Sequence, residues 1–113
     1  MYRIGMFSKL GMVTIKTLRH YDAVGLLVPA HVDNENGYRY YTTDQLFRLN
    51  EIVALRQMGF SIPEILDIID GHNVSMILEQ RKKELKSEFQ SAQDRLFRLE
   101  NYILEQKEGS NMD

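Results

Sequence analysis

The stretch TIKTLRHYDAVGLLVP, residues 14–29, decides how the rest of the sequence is interpreted. Its apolar residues recur at helical spacing: Ile15, Leu18 and Tyr21. Thr14 is a suitable N-cap, Gly25 a suitable C-terminal stop, and Pro29 prevents any continuation of the helix. The stretch therefore predicts a short amphipathic helix that ends before Gly25.

The other face of this predicted helix is polar and basic. It carries Thr14, Lys16, Thr17, Arg19 and His20. Such side chains can reach phosphates and base edges when a helix lies in a major groove. A solvated surface helix has the same composition, so these residues alone leave DNA contact and ordinary solvation open. Tyr21 is expected to have its ring partly in the core and its hydroxyl at the surface.

The flanking segments extend the helix into a larger motif. IGMFSKLG, residues 4–11, predicts a first short helix that breaks at Gly11, and two short helices around such a break outline a helix-turn-helix. Downstream, VDNENGYRYYT, residues 32–42, combines the turn signal Asn36-Gly37 with tyrosines that favour strands. A hairpin at this place is a wing. Arg39, expected at its tip, either holds the DNA backbone or covers the tyrosines with its alkyl stem.

Two more helices follow the predicted hairpin. TDQLFRLNEIVALRQMG, residues 43–59, has an apolar stripe and begins at Thr43, which is expected to cap it. SIPEILDIID, residues 61–70, has Ser61 as N-cap and Pro63 in its first turn. Residues 1–71 are thus predicted to form a mainly α domain, a winged helix-turn-helix of four helices and a short β-hairpin.

Residues 75–107 follow a heptad pattern that predicts a long dimerisation helix. Its seam consists of Leu78, Leu85, Ala92 and Leu99 at d, with Phe89, Leu96 and Ile103 at a. Lys82 is the only mismatch. We expect a coiled-coil homodimer, and the alternative is a helix docked back on its own domain. Residues 108–113 have the composition of a linker or tail.

The composition excludes several classes of protein. The 113 residues lack cysteine, and no pair of the three histidines has a helical ligand spacing, so we expect no metal or other cofactor. No nucleophile motif or phosphate-binding glycine loop is present, so no catalytic site is expected. No apolar run suits a signal peptide or a membrane span, which favours the cytoplasm.

Charge distribution permits nucleic-acid binding without arguing for it. The formal net charge is −2. Residues 1–60 carry 7 Lys and Arg against 5 Asp and Glu, whereas residues 61–113 carry 7 against 11. The basic half is therefore the half with the predicted helix-turn-helix.

The order of these parts resembles the N-terminal portion of MerR-family transcription regulators. The resemblance rests on LRHYDAVGLLVP, NGYRYYT and LNEIVALRQMGFSIPEI followed by the heptad helix, and it is strongest to the multidrug-responsive activators. It implies an antiparallel coiled-coil dimer that binds a pseudo-palindromic operator in double-stranded promoter DNA. It also implies activation by DNA distortion, with RNA polymerase as a partner at the promoter.

The resemblance assigns DNA contacts to particular residues. The recognition helix gives Thr14, Lys16, Arg19, His20 and Tyr21, the first wing gives Tyr38 and Arg39, and a second wing gives Arg56 with its neighbours Met58 and Gly59. Two positions depart from the family pattern. His20 stands where members usually have tyrosine, and Met12 stands where most have the turn glycine.

Effector sensing in the family resides after the dimerisation helix, where this chain ends. We therefore expect no effector domain in this chain, which is either a truncated piece or a short member. No feature separates a repressor from an activator. The competing hypothesis from another class is a protein-interaction adaptor that retains the winged-helix fold.

Overall fold

The computed structural model describes the backbone of residues 1–111 and the side chains of residues 1–109. In chain order the elements are β1 (Tyr2–Arg3), α1 (Ile4–Gly11), α2 (Ile15–Ala23), β2 (His31–Val32), β3 (Arg39–Tyr41), α3 (Thr43–Gln57), α4 (Ile62–Ile69) and α5 (Val74–Asn111). Residues 1–73 form one compact unit, and α5 begins the second at Val74. The mainly α winged helix-turn-helix is confirmed, with one strand more than the sequence predicts.

The turn between α1 and α2 is built on Met12 and not on a glycine. Met12 caps α1 in the left-handed conformation, with φ of 56°. Gly11 is the last residue of α1, and a Cβ at this position would collide with the Leu49 side chain of α3. Glycine is therefore needed at position 11 for close helix packing, and the left-handed turn is left to Met12, whose side chain is 91% exposed.

Replacing Met12 with glycine is expected to stabilise the protein. The change relieves left-handed strain of about 1–2 kcal/mol in the folded state. Against this, glycine increases the conformational entropy of the unfolded chain, which destabilises the fold by about 0.5–1 kcal/mol. We expect the free energy of unfolding to rise by about 0.5–1 kcal/mol, measured by urea denaturation at fixed protein concentration. Met12→Ala is the control, because it retains the strained φ. A loss of stability in Met12→Gly would show that the methionine side chain contributes more than its conformation costs.

The wing, residues 31–41, is the hairpin of β2 and β3, and β3 is the central strand of a three-stranded antiparallel sheet ordered β1-β3-β2. Tyr2 pairs with Tyr41 across β1 and β3, and Val32 pairs with Arg39 across β2 and β3. The positive φ expected at Asn36-Gly37 is found at Gly37, at 72°, but the turn is wider than the tight one that this pair favours, because residues 33–38 separate the paired Val32 and Arg39. Strand β1 has only two residues, too few for an alternating pattern to be recognised in the sequence.

The core of the first unit joins the sheet to the helices. Tyr41 stacks on Phe7 of α1 with ring centroids 4.4 Å apart, and both side chains are fully buried. The other fully buried large side chains are Leu18, Leu49, Ile52 and Ile65, from α2, α3 and α4. This core fixes α2 and the wing relative to each other.

Two capping boxes begin α3 and α4. Ser61 caps α4 as expected, in a reciprocal pair of hydrogen bonds with Glu64. The expected cap of α3 is wrong by one residue: Thr42, in an extended conformation, caps the helix together with Gln45, and Thr43 is its first helical residue. Two adjacent threonines are equivalent by composition, and only the backbone conformation decides between them.

Helix α5 is 38 residues long and extends through Asn111. Residues 108–111, expected to be linker or tail, are helical. Gly109 costs a helix only about 1 kcal/mol relative to alanine, which is not enough to end it. The last two residues of the expected tail, 112 and 113, lie outside the described part of the chain. Along α5, all seven predicted seam residues are exposed in the single chain.

Candidate nucleic-acid interface

The side chains of α2 divide into a buried and an exposed set. Leu18 is fully buried and Tyr21 is 7% exposed, so Tyr21 is more deeply buried than the sequence suggests. Lys16, Arg19 and His20 are exposed. The helix therefore presents two permanent cations and an imidazole on the face opposite the core.

Thr14 is occupied by its role as the N-cap of α2. Its hydroxyl oxygen accepts a hydrogen bond from the Thr17 amide at 3.0 Å and donates one to the Thr17 hydroxyl at 2.9 Å. The two threonines thus satisfy each other at the start of the helix. Thr14 remains exposed, but its hydroxyl has less capacity for a further ligand than the sequence alone suggests.

An open groove of about 300 Å³ runs along α2 and brings separate segments together. It is lined by Lys16, Thr17, His20, Tyr21, Arg56 and Ile62. Arg56 comes from the end of α3 and Ile62 from the start of α4. The fold therefore brings Arg56 beside the basic face of α2.

Arg56 is held in place by the turn that follows α3. Its Nη1 donates to the Phe60 carbonyl oxygen at 2.9 Å. Phe60 lies between the C-cap of α3, Met58, and the N-cap of α4, Ser61, so this bond ties the last turn of α3 to the connection with α4. The remaining guanidinium N–H groups can still bind an anion in the groove, because Arg has five donors.

Arg39 is not at the tip of the wing, as expected, but begins β3 opposite Val32. The turn at the tip comprises residues 34–36. The Arg39 Nε atom donates to Oδ2 of Asp22 on α2 at 3.1 Å, with the two side chains 36% and 24% exposed. Arg39 therefore links the wing to the recognition helix.

Tyr41 lies in the core beside this ion pair. Burial raises the pKa of Tyr41, the Asp22 carboxylate raises it further, and the Arg39 guanidinium lowers it. Among the described residues the Tyr41 hydroxyl has no hydrogen-bond partner. Tyr41 therefore stays neutral, and its role is to stack on Phe7 under the wing.

The outer face of the sheet carries a cationic and aromatic cluster that sequence reasoning missed. The Arg3 guanidinium carbon lies 3.8 Å from the centroid of the Tyr38 ring, a cation–π contact. The His31 and Tyr40 rings are 5.9 Å apart. Arg3 was not predicted because β1 gives no sequence signal, whereas Tyr38 was. Both are exposed.

The site as a whole suits an extended polyanion. Basic side chains of β1, α2, β3 and α3 surround the groove and the wing. Asp22 offsets the charge of one of them, Arg39. In the described part of the chain no group of three or more His, Cys, Asp or Glu could hold a metal ion. Nor does any described helix combine the length and the apolar character needed to span a bilayer.

Comparison with known proteins places these features in a family. The family model "MerR HTH family regulatory protein" matches residues 2–72. Among curated relatives, the transcriptional regulator BrlR of Pseudomonas aeruginosa is 35% identical over 110 residues, covering 91% of this chain and 40% of BrlR.

Solved structures agree with this match. The EcmrR–DNA complex in EcmrR-RPo has a TM-score of 0.87 and 43% identity, covering 95% of this chain and 40% of that one. The N-terminus of MtaN, the Bacillus subtilis multidrug transporter activator, has a TM-score of 0.77 and 28% identity, covering 92% of this chain and 99% of that one. The chain thus spans less than half the length of BrlR and of EcmrR.

Proposed function

Because this chain belongs to the MerR family of helix-turn-helix regulators of transcription, we propose that it binds a pseudo-palindromic promoter operator as a homodimer and acts by distorting the DNA. The observation that carries the proposal is the groove in which Lys16 and His20 of α2 meet Arg56 of α3. The two permanent cations, Lys16 and Arg56, lie on separate elements, and a polyanion is the ligand that would use them together.

In this proposal α2 is the recognition helix and lies in the major groove. Lys16, Arg19 and His20 are exposed and free of the core, so their polar atoms can reach base edges and phosphates. Arg56 would hold a phosphate at the groove's far side, as the second wing. Arg39 and Tyr38 would contact the backbone from the first wing, with Arg3 as an additional cation stacked on Tyr38.

The dimer is proposed from the apolar seam of α5. In the single chain the Phe89 side chain is 65% exposed and the Leu96 side chain is 55% exposed. The other large seam residues are exposed as well. An amphipathic helix of this length gains most of its stability from packing its apolar face. A second copy of α5, antiparallel to the first, supplies a matching seam.

The distortion step and the polymerase are proposed from the relatives. EcmrR is a DNA-bound protein in a complex named EcmrR-RPo, and MtaN is named as a transporter activator. A dimer that bends operator DNA would bring two promoter elements into a geometry that RNA polymerase can use. The effector that the longer relatives sense is outside this proposal, because the chain spans less than half of BrlR.

A selection from randomised duplexes tests the proposal against the adaptor hypothesis. We expect enrichment of an inverted repeat whose half-sites are separated by about one helical turn or a multiple of it. Fluorescence anisotropy on the enriched duplex should show affinity that falls steeply with salt, because bound phosphates release counterions. An adaptor would enrich no inverted repeat, since nothing requires its cations to converge on a duplex.

A further inference from the structure

We infer that Asp22 is a specificity-determining residue that acts through Arg39, and this inference rests on the proposed DNA-binding function. Asp22 orients the Arg39 guanidinium and offsets its charge, so that the wing attracts any duplex weakly and contributes fully only when α2 is seated on its operator. Asp22 is thus a positioning residue, and the ligand for which it orients Arg39 is a DNA phosphate.

The geometry of the pair leaves the end of Arg39 available. Asp22 engages Nε, and neither Nη1 nor Nη2 has a partner among the described residues. A guanidinium held by Nε presents its two terminal nitrogens in a fixed plane, the arrangement that binds phosphate best. The pair joins α2 to β3 across 17 residues of sequence, so it also fixes the wing's angle to the recognition helix.

The direction of Arg39 is set by strand alternation. In β3, Tyr41 faces the core against Phe7, and Arg39, two residues away, is on the same side. Tyr40 contacts His31 on the opposite side. The Arg39 side chain therefore lies on the side of the sheet that faces α2, away from the outer cluster. There it forms its ion pair with Asp22.

The negative charge of Asp22 is unfavourable for the affinity of a helix that approaches DNA. It is the only acidic residue of α2, which otherwise presents Lys16, Arg19 and His20. A carboxylate near phosphates opposes binding to any duplex. On the operator this repulsion is offset, because Asp22 holds the Arg39 guanidinium in a fixed plane towards a phosphate, so the net loss of affinity falls on non-specific binding.

The test compares Asp22→Asn with the unmodified protein on the selected operator and on random duplex at low salt. The amide keeps the shape and can still accept from Nε, so folding should be retained. We expect affinity for random duplex to rise about two- to fivefold, the range of a partly exposed ion pair. Operator affinity should not rise, so the operator-to-random ratio falls. Asp22→Glu keeps the charge and should retain more of that ratio.

Two controls separate this role from a merely structural one. Glu51→Gln removes the same charge from an exposed ion pair with Arg48 on α3 and should leave the ratio unchanged. In an Arg39→Gln background, Asp22→Asn should no longer change the ratio. Equal weakening on both duplexes, an unchanged ratio, or the same change in the Arg39→Gln background would each overturn the inference. If the unmodified protein enriches no duplex, the proposed function itself fails.

Discussion

Replacing Phe89 or Leu96 with alanine is expected to convert the protein from a dimer into monomers at micromolar concentration. Both residues occupy a positions near the centre of the seam and are exposed in the single chain, so the partner helix of the proposed dimer would cover them. Truncation of a buried side chain costs about 3–5 kcal/mol for Phe and 2–5 kcal/mol for Leu. A symmetric dimer loses each contact twice. Light scattering should give twice the 13.3 kDa chain mass for the unmodified protein and the single mass for Phe89→Ala.

Ser87→Ala is the matched control for the dimer prediction. Ser87 lies on the same turn of α5, at the heptad position opposite the seam, and should leave the dimer intact. Alanine is the best helix former, so a loss of helicity in Phe89→Ala would report lost pairing and not poor propensity. A chain that is monomeric before any substitution would contradict the coiled-coil interpretation.

Sequence patterns predicted the helices because each one has a start or stop signal and an apolar period. α4 has Ser61 as its N-cap and Pro63 in its first turn, as expected from its sequence. The failures concern short or ambiguous signals. Strand β1 is defined by pairing with β3 and not by its own two residues. The role of Gly11 depends on Leu49, which is 38 residues away, and Met12 is the residue that takes the left-handed turn.

The structure shows where the predicted site residues lie and which partners they have, and most of those partners were not foreseen. Lys16 and Arg56 were named from residue type and family resemblance, and the fold brings them to one groove. The Arg39–Asp22 pair depends on where the wing meets α2, which periodicity does not report. Thr14 caps α2 as the sequence predicts, so the hydroxyl that was also expected to contact DNA is already engaged with Thr17. Residue type thus predicts chemical capacity, while three-dimensional packing decides how much of that capacity is already in use.

These partners change how base-reading and phosphate-holding residues must be tested. Alanine at Thr14 would remove an N-cap and cost about 1 kcal/mol of stability, so its effect on DNA would be confounded. Arg39→Ala would leave the Asp22 carboxylate uncompensated near the duplex. The double variant with Asp22→Asn is needed to isolate the guanidinium. Lys16 and His20 do not have these complications. Among the described residues Arg56 donates only to the Phe60 carbonyl oxygen, so its replacement leaves no acidic side chain uncompensated.

Lys16→Ala and His20→Ala are therefore expected to change which operator the protein prefers, whereas Arg56→Ala should weaken binding to all duplexes alike. Base-edge contacts are worth about 1–3 kcal/mol of discrimination each, so the selected half-site should change at one or two positions. Loss of a phosphate contact instead reduces the slope of the logarithm of affinity against the logarithm of salt concentration by about one unit, without altering the preferred sequence. Repeating the duplex selection with each variant measures the first effect, and anisotropy against salt measures the second. Lys83→Ala, an equal charge loss on α5, should change neither. If Arg56→Ala shifted the preferred sequence while Lys16→Ala lowered only affinity, the groove would read bases from α3, and α2 would only hold the backbone.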